Sequence, residues 1–277
     1  MSSAVSGPIP YRVVYSQRVR QRLLALADVA RERGDGEAFV AALKEFHRRR
    51  SGSAAPDSPT LLGYEKEVRD LADLSGELIR RSGMLYFADV HADVRSRLEP
   101  LPPLARKAFA LACAERLMRR HEALPNPRPF TVGWRPLLDA MWSELADLSK
   151  DAAYRVRHAL QVFRVSPLNH CRGQDGPDDA DEDAAAASIY AAECFLSGDA
   201  SYAAWAASRA TDAAFVAAAG DLQQSSPKSV SEAAVVFASE AMHPTVQGEL
   251  RTQLADLSLL ERAGVTLAVL RSLNGTA

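Results

Sequence analysis

Apolar residues in the C-terminal two-thirds of the chain recur every three or four positions, which is the period of an α-helix with one buried face. From about residue 97 onward this spacing predicts about seven helices and no strand. Their predicted positions are Leu104–His121, a helix from Arg135, a helix from Asp151, Ala184–Phe195, a helix from residue 200 to about Ala219, Ser229–Met242 and a helix from Pro244. No heptad period is sustained, so the pattern favours a compact antiparallel bundle over a coiled coil.

Breaks in this pattern mark the predicted connections. Prolines at 125, 127 and 129 end the first helix, and Ser197–Asp199 predicts a tight turn between two alanine-rich helices. The polar stretch Ser166–Asp183 predicts a loop, and its acidic run at 178–183 would place carboxylates at the N-terminus of the helix that starts at Ala184. Gly264 is a candidate interruption of the last helix.

The N-terminal part of the chain has a different pattern. Alternation with β-branched residues predicts a short strand at Tyr11–Tyr15. Helical spacing follows over about 17–33 and 37–50. The stretch Ser51–Pro59 is rich in Ser, Gly, Ala and Pro, which is typical of a loop or linker.

The boundary between the two patterns is ambiguous. Leucines at helical spacing in 61–83 are interrupted by glycines, and Leu85–Val90 fits either a strand or the start of the next helix. We expect a mainly α protein in two parts. Residues 1–83 would form a small α+β segment, and residues 84–277 an alanine-rich helical domain.

Charge is distributed unevenly between these two parts. The whole chain has 33 Lys and Arg against 35 Asp and Glu, a net charge of −2. Residues 1–83 carry 14 basic and 11 acidic side chains, and residues 84–277 carry 19 and 24, so the helical domain has a net charge of −5. A basic excess is typical of proteins that bind nucleic acids or membrane surfaces, and its absence argues against both partners.

Cysteine spacing and hydropathy narrow the class of protein further. The three cysteines, Cys113, Cys171 and Cys194, form no CxxC pair, which excludes a disulfide scaffold and a cysteine-based zinc finger. No apolar run approaches the roughly 18 residues that a membrane span needs. Residues 1–10 lack the charged and apolar regions of a signal peptide. We therefore expect a reduced, cytoplasmic globular protein.

Sequence motifs give little sign of catalysis. The histidines show no HxxxH or HxH spacing, and no phosphate loop, dinucleotide fingerprint or nucleophile elbow is present. Asn169–Cys171 places an imidazole beside a thiol, but neighbours in one loop do not converge as a catalytic pair must. The acidic run at 178–183 lacks the spacing of a calcium loop. We expect no catalytic residue, no metal and no cofactor; a helical-bundle enzyme or small-ligand-binding protein is the alternative.

Charged and aromatic residues inside the predicted helices are the candidate contacts. Glu115 and Arg116 are adjacent in an otherwise apolar helix, and they fit either structural ion pairs or the edge of a partner surface. Trp205 and Arg209 lie four residues apart and so share a helix face. Tryptophan and arginine are residue types that anchor protein interfaces. Trp134 is one such residue, and the candidate contacts among them are Arg135, Trp142, Trp205 and Arg209.

The stretch Phe109–Glu122, which contains Ala-Cys-Ala-Glu-Arg, resembles the opening helix of helical immunity proteins from bacterial polymorphic-toxin systems. In those proteins a proline-containing loop is followed by a helix that starts with Arg-Pro and carries Ala and Trp, and Arg135–Trp142 has this pattern. The alanine-rich pair at 184–219 also fits, and His243–Val246 is similar to the start of the last helix in the uncharacterised YjaG-like family. The resemblance covers about 97–273.

The resemblance implies an immunity or antitoxin-type protein of the cytoplasm. Such a protein would bind a cognate toxin and cover its active surface, with aromatic and arginine anchors inside an acidic rim. The net charge of −5 on residues 84–277 favours a basic toxin, such as a nuclease. Nucleic acid and membrane are not expected as partners.

A second resemblance concerns residues 11–91. The strand and two helices predicted there look like the start of toxins of the RelE/ParE type, and 73–91 is where their later strands would lie. No matching set of catalytic residues is present, so this resemblance implies a degenerate module. The alternative of an active toxin at 11–91 requires strands within 61–91 and fails if that stretch is helical.

Overall fold

The computed structural model describes residue 73 and residues 75–123, 131–147, 152–165, 180–222 and 230–275. These residues form helices and short connections, and no strand occurs among them, which confirms the mainly α prediction for this part of the chain. The predicted strand at Tyr11–Tyr15, the two helices after it and the 51–59 linker lie outside the described residues. The Asn169–Cys171 pair lies outside them too.

Nine helices are described over Phe87–Leu273. They are α1 (Phe87–Leu98), α2 (Pro103–Glu122), α3 (Thr131–Asp147), α4 (Ala152–Val165), α5 (Ala180–Ser197), α6 (Ala200–Leu222), α7 (Val230–Met242), α8 (Pro244–Ala263) and α9 (Leu267–Leu273). The predicted number was too low, in part because Gly264 ends α8. Its φ of 62° is unfavourable for other residues, and a separate helix follows it.

Two helices begin earlier than the sequence predicted. The helix expected from Arg135 begins at Thr131, so Pro136 lies inside α3. Pro136 is close enough to the N-terminal end to break only the hydrogen bond to the first turn. The helix expected from Ala184 begins at Ala180, so the end of the acidic run belongs to α5 and not to the preceding loop. Acidic side chains favour a helix N-terminus, which allows the helix to extend into the run.

The ambiguous stretch Leu85–Val90 contains the start of a helix. Tyr86 is the N-cap of α1, so the strand alternative is wrong from residue 87 onward. Val90, Val94 and Leu98 recur every four residues and are buried, which explains the helix physically. Residues 76–81 are also helical. The described part of 61–91 therefore lacks the strands that an active toxin module would need.

Contacts divide the chain into two compact units. The first consists of Met1–Ser75 and Ser225–Val236, and most of it lies outside the described residues. The second consists of Gly76–Gln224 and Phe237–Ala277, and it contains every contact analysed below.

The core of the second unit is built around α2. Twelve of its twenty side chains are buried, and it packs against α3, α5, α6, α8 and α9. Buried alanines on α2, α5 and α6 allow the helix axes to approach closely. The predicted tight connection between α5 and α6 is confirmed. Gly198 has a φ of 73°, and a Cβ there would lie 2.9 Å from the Cβ of Pro103.

Candidate functional site

Glu115 on α2 is the centre of a buried ion cluster, and its side chain is only 2% exposed. Arg135 Nη1 donates to both Glu115 carboxylate oxygens at 2.8 Å. Arg119 Nε donates to the same carboxylate at 2.7 Å, and Trp142 Nε1 donates at 3.2 Å. Arg135 also forms a bidentate pair with Glu122, with both distances 2.8 Å. These contacts join α2 to α3 and satisfy a carboxylate that would be costly to bury alone.

A second buried cluster joins α2 to α8. Arg116 donates to Asp256 at 2.6 Å and to Glu249 at 3.0 Å, and Arg120 donates to the other Glu249 oxygen at 3.2 Å. Burial alone would raise the pKa of Glu249, but the charge and hydrogen bond of Arg116 hold it below its usual value. Burial raises the pKa of Asp256 by more than Arg116 lowers it.

Polar contacts continue from Glu249 to His91 on α1. Gln253 Nε2 lies 3.2 Å from Glu249 Oε1, 3.1 Å from Thr211 Oγ1 and 3.0 Å from the carbonyl oxygen of Ala207. The Thr211 hydroxyl is in turn 3.0 Å from His91 Nε2. Burial lowers the pKa of His91 to about 4, so the imidazole is neutral at pH 7.

Five of the six candidate contact residues are held in contacts within this unit. Arg209 pairs with Asp183 at 3.2 Å and with Asp212 at 3.8 Å. The other four belong to the two clusters around Glu115 and Arg116: Glu115, Arg116, Arg135 and Trp142. These side chains hold helices against each other. The sixth, Trp205, lies at the surface.

Trp205 borders a groove between α1 and α6. The groove has a volume of about 480 Å³ and is lined by His91, Ala92, Val94, Arg95, Ser96, Glu99, Ala204, Trp205 and Ser208. The Trp205 side chain is 36% exposed. Tyr190 and Tyr202 pack against it, with ring centroids 5.5 Å and 5.2 Å away. Among the described residues, the indole N–H of Trp205 has no hydrogen-bond partner.

The opposite side of the groove carries two charges that the sequence analysis did not single out. Arg95 and Glu99 are exposed, and within the described ranges neither side chain has an ion-pair partner. The sequence does not reveal that these two charges stay unpaired, because partners of the neighbouring charges also come from outside α1, namely Arg80 and Glu261. Those neighbouring charges are all paired: Asp89 with Arg80, Asp93 with Arg97, and Arg97 with Glu261.

Other reactive groups in the described part of the chain are buried or scattered. Burial raises the pKa of the Cys113 and Cys194 thiols to about 12, so neither is a nucleophile at neutral pH.

No cluster of three His, Cys, Asp or Glu residues suited to a metal ion occurs among the residues described. Over the same residues, no helix combines the length and apolar character that crossing a bilayer requires.

Comparison of the chain with known proteins finds no matching family, no matching curated protein and no matching solved structure.

Proposed function

We propose that the protein is a non-catalytic, cytoplasmic binding protein of the immunity or antitoxin type, which binds a cognate toxin and covers its active surface. The observation that carries this proposal is the exposed Trp205 at the edge of the groove. Tryptophan is the residue type most enriched among the residues that dominate binding energy at interfaces. Trp205 offers a toxin an apolar face and an unused N–H donor.

The surroundings of Trp205 support a preformed binding surface. Tyr190 on α5 and Tyr202 on α6 pack against the indole, so the ring gives up little conformational freedom when a partner covers it. The ion clusters around Glu115 and Arg116 hold α2 against α3 and α8. A rigid body with an exposed aromatic anchor binds without first having to order its surface.

The charge of the helical domain specifies the kind of toxin in this proposal. Residues 84–277 have a net charge of −5, which accelerates association with a basic protein such as a nuclease toxin. Because this attraction is long-ranged and screened by salt, the association rate constant should fall as the ionic strength rises.

Co-expression with the toxin encoded by a neighbouring gene tests the proposal. We expect co-purification of the two proteins and protection of the host from the toxin. Trp205→Ala should raise the dissociation constant about 30-fold, the effect of losing a central aromatic contact. Tyr154→Ala is the matched control, since Tyr154 is an aromatic residue on α4 that is 72% exposed. A chain that rescues no adjacent toxin, or a Trp205→Ala variant that binds as tightly as the wild type, would contradict the proposal.

A further inference from the structure

The two unpaired charges of the groove lie close together on one helix face. Arg95 is in the last turn of α1 and Glu99 is its C-cap, so the two side chains are one turn apart. They do not pair with each other, and an arginine that precedes a glutamate by four residues is the less favourable order for such a pair. Each charge is exposed and available to a group from outside the chain.

The surface around these charges is made of small residues. Ala92 and Ser96 share the exposed face of α1 with Arg95 and Glu99. Small side chains allow another helix to approach to the lower end of the usual 8–10 Å separation between axes. The face therefore has space for a second helix, bordered by one positive and one negative group.

This pattern is complementary to itself. In a twofold interface, residue i of one copy meets residue j of the other, and j meets i. Two α1 helices packed antiparallel across a twofold axis would bring Arg95 to Glu99 of the partner subunit, and Glu99 to Arg95 of the partner subunit. We infer that the chain self-associates through this face of α1, with two reciprocal Arg95–Glu99 ion pairs at the centre of the contact.

A second copy of this chain is the occupant that satisfies both groups at once. Across a twofold axis it presents the same two charges in reverse order, so that each charge meets one of opposite sign. The net charge of the whole chain is only −2, so two copies repel each other weakly. A contact centred on one short helix buries an area at the small end of the range for specific interfaces. We therefore expect a weak, reversible and salt-sensitive dimer.

This inference goes beyond the proposed function, because it requires no toxin. Both contacts use the same groove, with Trp205 on the α6 side and the charges on the α1 side. The variants that test self-association leave Trp205 unchanged. Failure of the dimer would therefore leave the toxin proposal standing, and failure of toxin rescue would leave the dimer standing.

Charge reversal in the full chain tests the inference by sedimentation velocity. Arg95→Glu alone and Glu99→Arg alone place like charges opposite each other, and each should raise the dimer dissociation constant at least about 100-fold. A mixture of the two single variants should form a heterodimer, since one copy is then acidic at both positions and the other basic. The double variant R95E/E99R should regain the homodimer with the polarity of its ion pairs reversed.

Arg157→Glu is the matched control, because it makes the same charge change at an exposed arginine on α4. It should dimerise like the wild type. Since Arg95 and Glu99 have no partner among the described residues, all variants should keep the wild-type circular dichroism spectrum and Tm. A monomeric wild type, single variants that dimerise normally, or a mixture that stays monomeric would each overturn the inference.

Discussion

Arg135 on α3 binds Glu115 on α2 with one guanidinium nitrogen 2.8 Å from each carboxylate oxygen. The two residues belong to different stretches of the sequence, Phe109–Glu122 and Arg135–Trp142. Trp142 donates to the same carboxylate from the second stretch. Side chains from both stretches therefore meet in one cluster that fixes α3 on α2.

Removal of the charge at Glu115 should destabilise the helical unit. Glu115→Gln keeps the size of the side chain but leaves Arg135 and Arg119 without their buried carboxylate, and we expect the free energy of unfolding to fall by about 3 kcal/mol. Urea denaturation measures the change. Glu122→Gln is the control, because Glu122 pairs with the same Arg135 from a position that is 36% exposed, and it should cost less than about 1 kcal/mol. Equal losses in the two variants would contradict a dominant role for the buried carboxylate.

Loss of Arg116 should reverse part of the pH dependence of stability. In the wild type, Arg116 keeps the pKa of Glu249 low, so this carboxyl stabilises the fold above its unfolded pKa and loses that contribution as the pH falls. In Arg116→Leu, burial raises the pKa values of Glu249 and Asp256 above their unfolded values. The two carboxyls then destabilise the fold increasingly as the pH rises.

We expect the free energy of unfolding of Arg116→Leu to be about 4 kcal/mol below that of the wild type at neutral pH. The difference should be measurably smaller near pH 5, and urea denaturation determines both values. Arg120→Leu removes a cation that reaches Glu249 from a half-exposed position, and it should cost less than about 1 kcal/mol. A loss that does not change between the two pH values would show that Glu249 and Asp256 do not depend on Arg116.

His91 should make the fold sensitive to mild acid. Its pKa is about 4 in the folded protein against 6.5 in the unfolded chain, so the unfolded state binds more protons between these values and stability falls as the pH falls. Between pH 7 and a pH near the folded pKa, the free energy of unfolding should fall by about 3 kcal/mol more in the wild type than in His91→Gln, which cannot be protonated. Urea denaturation at the two pH values measures the difference. Equal losses in both proteins would show that His91 is not neutralised by burial.

The two buried thiols should resist labelling in the folded protein. Cys113 and Cys194 are fully enclosed, and burial raises the pKa of each to about 12, so neither forms a thiolate at neutral pH. Cys171→Ser removes the remaining cysteine from the experiment. In that variant a thiol reagent should react only after urea unfolds the chain, with two equivalents per chain. Rapid labelling without urea would place at least one thiol at the surface.

The sequence by itself determined where most helices lie. The apolar spacing of 104–121 predicted α2 to within one residue at each end, and Ser197–Asp199 predicted the turn between α5 and α6. These features depend on local causes, namely helical periodicity, proline and glycine. The early starts of α3 and α5 were missed because neither a proline after the first turn nor an acidic run prevents a helix.

Only the tertiary structure decided which charges are used within the fold and which remain for a partner. Arg95 and Arg97 are two residues apart on α1, and the local sequence supplies only one partner, Asp93, which pairs with Arg97. Arg97 points to α8 and pairs with Glu261, 164 residues away, whereas Arg95 points to the groove and has no partner among the described residues. The helical repeat turns adjacent side chains to different faces, and only the packing of distant helices determines what each face meets.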